Sequence, residues 1–470
     1  MNSFSKFAVL IASAGLVAAG DSWPMFRGPN GAGVIADAKP PVHLGPDQGV
    51  LWKAAVPESP SSPTVFGDRI FLTTFAGKQL ETRAYDRRTG ELLWTQMAPA
   101  EQFEAHHDTD GSPAASTPAA DGEVVISYFG SAGLFCYDHG GKELWRREMP
   151  IARTYGGFGS GTSPMIAGDR VILNRDVVDG AAIIALDRKT GRKLWETPRP
   201  DSPTSYSTAI LWERDGTTEV IVAGAVSLKA YDLVTGSERW LVRGIPASTC
   251  TTPVLGEGLL FFAGWGPGKS DAPFPTWESR LAEWDKDSDG ALVVEEFAWG
   301  QSMFGSLDAN SDGKIVASEW NQIEEFAKKG DNVLLAVKPD GRGDVTETHV
   351  AWKATRGLPY VPSPVYYDGR LYIVKDGGLI SSFKARTGEP VYVQERIPEA
   401  AGSYYASPVA ADGRIYLASL QGKLTVLDAQ ADLPKVIHQT AFGERISATP
   451  ALVGDHLYLR TAGHLYAFGP

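Results

Sequence analysis

Cysteine is almost absent from this chain of 470 residues: Cys136 and Cys250 are the only two. That number excludes a disulfide framework, and the small or apolar neighbours of both suggest buried free thiols, with a single disulfide as the alternative. After the first twenty residues no run approaches the roughly 20 apolar residues of a membrane span. Positive charge is in deficit, with 44 Lys and Arg against 56 Asp and Glu, a net charge of −12. Nucleic acid and anionic membrane select basic surfaces, so neither is an expected partner. The chain also lacks a nucleophile elbow, a Ser-His-Asp pattern and a paired-carboxylate motif, which leaves a hydrolase without visible machinery.

Residues 1–19 carry the pattern of an export signal. Lys6 supplies the basic start, Phe7 to Val17 an apolar run of 11 residues, and Val17-Ala18-Ala19 a small-residue cleavage site. No cysteine lies near that site, which sets aside a lipid anchor. The mature chain is expected to be exported and soluble, in the periplasm or outside the cell. Residues 20–49, rich in Gly and Pro, suggest an extended arm.

What the chain has in abundance is one repeated phrase. ALDRKTGRKLW ends at Trp195, AYDRRTGELLW at Trp94 and AYDLVTGSERW at Trp240, with weaker echoes ending at Trp145 and Tyr392. An apolar strand ends at Asp, a polar turn closes on a Gly that supplies positive φ, and an aromatic follows four residues later on the next strand. An inner-strand signal, Ser or Thr before Pro, recurs at Pro63, Pro118, Pro164, Pro253, Pro364, Pro408 and Pro450, with Ala209 in the same place. Each signal precedes a turn pair and an apolar strand, and the usual interval is about 44 residues.

Eight such units predict an all-β, eight-bladed β-propeller of four-stranded blades over 50–470. Two separate sheets, or a seven-bladed ring with one degenerate unit, are the alternatives. The last unit lacks an outer strand, and an orphan outer strand stands at Trp52, so the ends of the chain should close the ring together.

One interval, from Pro253 to Pro364, is 111 residues long, and the excess falls in 271–329 within blade 5. Here alternation stops, and Trp277, Leu281 and Trp284 mark a helical face. Asp285-Lys-Asp287-Ser-Asp289-Gly290 through Glu296, and Asp308-Ala-Asn310-Ser-Asp312-Gly313 through Glu319, both fit D-x-[DN]-x-[DN]-G-x5-E. Ca²⁺ takes six to eight hard oxygens. In each loop the side chains at positions 1, 3 and 5, a carbonyl at position 7 (Ala291, Lys314) and a bidentate Glu at 12 supply them. Leu292 and Ile315 should pair the loops. The segment therefore predicts a small α-helical EF-hand pair holding two Ca²⁺, its loops joined by one shared helix over 297–307. Its acidic excess, twelve carboxylates against five basic side chains over 274–329, needs such neutralisation.

A second candidate is the channel mouth. The segments entering the inner strands would bring His106, His107, Arg153, Tyr155, Tyr206, Arg356, Tyr360, Tyr405 and Arg445 to the axis. They would form either a pocket for an anionic or planar ligand or a plug that fills the channel.

The AxDxxTGxxxW phrase with its S/T-x-P inner strands resembles the PQQ-like, quinoprotein or BamB-like β-propeller repeat family. The resemblance implies the propeller, and it allows either a pyrroloquinoline-quinone (PQQ) dehydrogenase or a non-enzymatic scaffold. Quinoprotein dehydrogenases of this type carry an adjacent Cys-Cys pair over the cofactor, which is missing here, as is a C-x-x-C-H haem motif. BamB-like lipoproteins carry an acylated Cys that is missing too. The expectation is thus an exported calcium-binding scaffold or recognition module, with a protein or small molecule at the channel mouth and PQQ possible but not expected. The alternative is the dehydrogenase.

Overall fold

The computed structural model describes residues 22–107, 109–266, 273–308 and 312–470. The expected export signal over 1–19 lies outside them. Eight sheets form one ring. Blades 1 to 4 cover 64–98, 119–148, 165–198 and 210–243; blades 5 to 7 cover 254–354, 365–396 and 409–441. Blade 8 combines the strands over 451–468 with Val50–Ala55. In that last blade Trp52 stands opposite Ala467 and Lys53 opposite Tyr466, so the first strand of the ring completes its final sheet as expected. One blade departs from four strands. In blade 4 a short strand, Gly343–Asp344, pairs in parallel with Glu238–Arg243.

The repeated phrase is the joint between blades. In its turn the Asp187 carboxylate accepts from the amides of Lys189 and Thr190 and from the Thr190 hydroxyl. Those bonds, the Thr190 hydroxyl foremost, hold Asp187 below the usual carboxylate range. The Gly that closes each turn is a landing face for the preceding blade's indole. A Cβ on Gly90 would stand 2.4 Å from the Trp52 ring, and one on Gly236 2.5 Å from Trp195. The indole N–H then donates to a turn carbonyl, Trp52 to Arg87 and Trp195 to Leu233, both at 3.0 Å. Trp94, Trp145 and Trp352 repeat the arrangement. Blade 5 has no such turn, and Trp240 instead donates to the Glu219 carboxylate of its own blade at 3.0 Å. The short fifth strand lies beside Trp240, at Gly343.

The Ser/Thr–Pro signal closes a second ring. Ser62 N–H donates to the Thr117 hydroxyl, Thr117 N–H to Ser163, Ser163 N–H to Thr208 and Thr208 N–H to Thr252. The chain continues from Thr252 to Ser363, Ser407 and Thr449, and Thr449 N–H donates back to the Ser62 hydroxyl. Each blade's innermost strand starts by lending an acceptor to its neighbour's otherwise orphaned buried amide.

The described part of the arm, 22–49, packs into the ring. Trp23 and Arg27 are fully buried. The arm touches Val65, Ala120, Leu211 and Ala410 in turn, in the innermost strands of blades 1, 2, 4 and 7, and then Gly454, just after the innermost strand of blade 8. These contacts lie beyond the Ser/Thr ring, so the arm crosses the channel at the end away from the mouth loops. Its anchor is Arg27, which donates to the Pro364 carbonyl, and burial lowers its pKa to about 9.

Candidate functional site

The helical segment emerges between the second and third strands of blade 5, Leu259–Gly264 and Val333–Val337. An antiparallel blade puts that connection on the mouth face. Helix α1 is Trp277–Trp284, capped by the Thr276 hydroxyl, which accepts from Ser279 N–H. Helices α2, Gln301–Leu307, and α3, Ala317–Ala327, follow. Trp284, Leu292, Phe297, Phe304, Ile315 and Trp320 form a core separate from the blades. The single linking helix expected over 297–307 is shorter: residues 294–296 and 298–299 are turns, and Gly300 at φ 86° precedes α2. A residue so far into positive φ stops the helix from running back to Phe297.

Within this segment Leu292 and Ile315 exchange both backbone hydrogen bonds at 2.9 Å, which sets the two acidic loops side by side. Asp285, Asp287 and Asp289 each offer an oxygen, all within 4.8 Å of one another. The Asp285 carboxylate accepts from Ser288 and Gly290 amides, and Glu296 accepts from Lys286 and Val293 amides, so both ends of the loop fold onto one centre. In the second loop Asp308 accepts from the Asp312 and Gly313 amides, and Glu319 from Val316. Asn310 lies outside the described residues. Ala291 is buried. Lys314 sends its ammonium to Asp289 of the first loop at 2.9 Å.

The segment rests on the mouth of the ring. Arg153, from the loop before blade 3, donates to the Asp308 carbonyl at 3.3 Å and pairs with Asp179 at 3.0 Å. Tyr155 packs against the helical core. Beside it opens an axial cavity of about 190 Å³. Tyr155, Phe158, Tyr206, Tyr360 and Tyr405 form its aromatic wall, Phe26 of the arm reaches it from the far side, and Ser62, Thr117, Ser163, Ser407 and Thr449 of the hydroxyl ring line it. Asp110 is the one charged residue among the described lining. It accepts from the Tyr405 hydroxyl at 2.9 Å and faces Arg445 at 3.6 Å. An outer vestibule of about 240 Å³ holds Arg445, Glu58, His106 and Asp110.

The sequence therefore names four of the five wall aromatics and misses Phe158, Phe26 and Asp110. Of the expected cations, Arg153 serves the helical segment, Arg356 is exposed and lines neither space, and Arg445 stands only in the vestibule. His106 packs edge-on to Phe75, whereas His107 stacks on Phe158 at 4.5 Å and bonds the Gly156 carbonyl, so they do not converge. The anionic-ligand reading thus lacks its clamp. Both cysteines are free, but only Cys136 is in the core; Cys250 lines the cavity, where burial pushes its thiol up to about 12.

Among known proteins, the quinohemoprotein alcohol dehydrogenase ADH IIB of Pseudomonas putida is 29% identical over 239 residues, 47% of this chain. That stretch is 31% of the dehydrogenase, so the chain spans about a third of the length of this curated relative. BamB from Moraxella catarrhalis superposes with a TM-score of 0.54 at 14% identity, over 89% of this chain and 96% of that one. A europium-containing methanol dehydrogenase gives 0.56 at 11% identity, over 96% and 98%. Such identities show a shared fold and nothing of activity. The family described as outer membrane protein assembly factor BamB matches residues 81–244 and 302–468, more than half of the chain, and the protein belongs to that family of PQQ-like β-propellers.

Proposed function

We propose that the protein is an exported, calcium-stabilised propeller that works as a recognition scaffold. Residues 1–19 act as the export signal, 20–49 as the arm and 50–470 as the ring, with 271–329 an EF-hand pair for two Ca²⁺. The observation that carries the reading is the pairing of two acidic loops through Leu292 and Ile315, with the Asp285, Asp287 and Asp289 oxygens gathered in the first. That donor set is all hard oxygen, which suits Ca²⁺. Asp285, Asp287, Asp289, Glu296 and the Ala291 carbonyl would hold one ion. Asp308, Asn310, Asp312, Glu319 and the Lys314 carbonyl would hold the other, with water at position 9 of each loop, where Val293 and Val316 lack side-chain oxygen. Because Arg153 and Tyr155 tie this segment to the mouth, the bound ions would also stiffen the rim where a partner docks. The family's description as an assembly factor agrees with a protein partner there.

The dehydrogenase reading draws on the partial match to ADH IIB. PQQ is a planar tricarboxylate and needs cationic donors. The described residues of the axial cavity include no Lys, Arg or His and do include Asp110, so the lining does not fit it. Calorimetry tests the metal reading: two Ca²⁺ should bind, and Glu296→Gln with Glu319→Gln should abolish the heat. No calcium heat in the unmodified protein, or a stoichiometry unchanged by the pair, refutes it.

A further inference from the structure

The axial cavity combines a carboxylate with an aromatic wall, and this combination selects a ligand by charge. Tyr155, Phe158, Tyr206, Tyr360 and Tyr405 surround a space of about 190 Å³ whose described lining contains Asp110 and no basic side chain. We propose that this cavity binds a small organic cation, a quaternary ammonium or a protonated amine, between the tyrosine faces and the Asp110 carboxylate. The proposal goes beyond the calcium reading and does not depend on it.

Aromatic faces carry negative quadrupole charge and attract a cation within about 6 Å of the ring centroid, most strongly once water is excluded. The wall already behaves this way on its outer side, where the Arg445 guanidinium lies 5.8 Å from the Tyr405 centroid. Asp110 adds a formal charge at the boundary between cavity and vestibule, with its Oδ1 held by the Tyr405 hydroxyl at 2.9 Å. The vestibule also holds Arg445, His106 and Glu58, so among its described residues two carboxylates, Glu58 and Asp110, face one guanidinium and one imidazole. The tyrosines feel the same field. Tyr360 is harder to ionise than usual, first through burial and then through Cys250, Tyr206, Tyr405 and Asp110 facing it. An anion would meet that field with no clamp among the described lining, and a neutral ligand would gain nothing from the Asp110 charge. The net charge of −12 also favours the encounter with cations.

The test uses three molecules of nearly one shape: choline, its neutral isostere 3,3-dimethylbutan-1-ol, and 3,3-dimethylbutanoate. Each is titrated into the full chain with saturating Ca²⁺ by calorimetry, with tyrosine fluorescence as a second readout. Choline should bind at least about tenfold more tightly than the alcohol, and the carboxylate weakest. Asp110→Asn should reduce choline affinity by about tenfold or more and leave the alcohol unchanged. Tyr360→Leu should weaken choline, whereas Tyr360→Phe, which keeps the face, should not. These two decide the matter if Asp110→Asn disturbs Tyr405 and unfolds. Equal binding of choline and the alcohol, preference for the carboxylate, or no binding of choline at millimolar concentration would each overturn the proposal.

Discussion

Replacing Thr208 by Val and, separately, by Ser isolates the bond that joins blade 3 to blade 4. The Thr208 hydroxyl accepts from Ser163 N–H at 3.1 Å, and both residues are at most 2% exposed. Val keeps the branched shape but leaves that amide buried without an acceptor, which costs about 1–3 kcal/mol. Ser keeps the acceptor and loses one methyl, a cost of about 1 kcal/mol. Val should therefore be the more damaging change although it is the closer match in volume. Thr449, across the ring in blade 8, accepts from Ser407 N–H at 3.0 Å and offers an independent copy of the experiment. The two sites share no partner, so the Val changes should add, to roughly 2–6 kcal/mol in the double variant. Equilibrium urea unfolding measures the cost as a lower midpoint at unchanged slope. Hydrogen exchange of the peptide containing Ser163 should accelerate on Thr208→Val and not on Thr208→Ser. If Val is tolerated as well as Ser at both positions, the hydroxyl ring does not hold the blades together and the reasoning fails.

The indoles differ in burial and should differ in cost. Trp240 is 1% exposed, so Trp240→Ala should lose about 3–5 kcal/mol, while half-buried Trp52, on the closing strand, should lose about 2–3 kcal/mol; unfolding midpoints in the reverse order would contradict the packing. Glu104 is fully buried, accepts from the Ser160 hydroxyl at 2.6 Å, and has its pKa raised by burial to about 8. The folded state then keeps a proton that the unfolded chain releases near pH 4.5, so stability should fall as pH rises from about 4.5 to about 8. Glu104→Gln should flatten that part of a stability–pH curve measured by thermal melting, and an unchanged curve would clear Glu104 of the effect. Supplied with PQQ and Ca²⁺, the protein should not reduce dye with a primary alcohol, because the described lining of the cavity offers no cationic side chain to a tricarboxylate; turnover dependent on both PQQ and alcohol would restore the dehydrogenase reading.

Local chemistry repeated at a fixed spacing was legible in the residues alone. An Asp that caps its own turn, a Gly that must leave room for an indole, and a Ser or Thr before Pro each constrain the next few positions, so the blades and the orphan strand at Trp52 can be counted from the sequence. The two acidic loops are legible for the same reason, since a hard ion dictates ligand spacing within twelve residues. Contacts between distant residues carried no such signature. Nothing in WPMFRGPNGAGV announces that Arg27 will be buried against Pro364, or that Phe26 will reach the cavity from the far side. The mouth loops could be listed but not oriented. A loop of irregular backbone points its side chains according to what packs against it, so Arg153 turned to the Asp308 carbonyl and Arg356 to solvent. Asp110 instead met Tyr405, 295 positions away in the chain. The sequence could specify the ring because each joint is a short-range pattern; the sign of the charge at its centre was decided only when eight separate loops met on one axis.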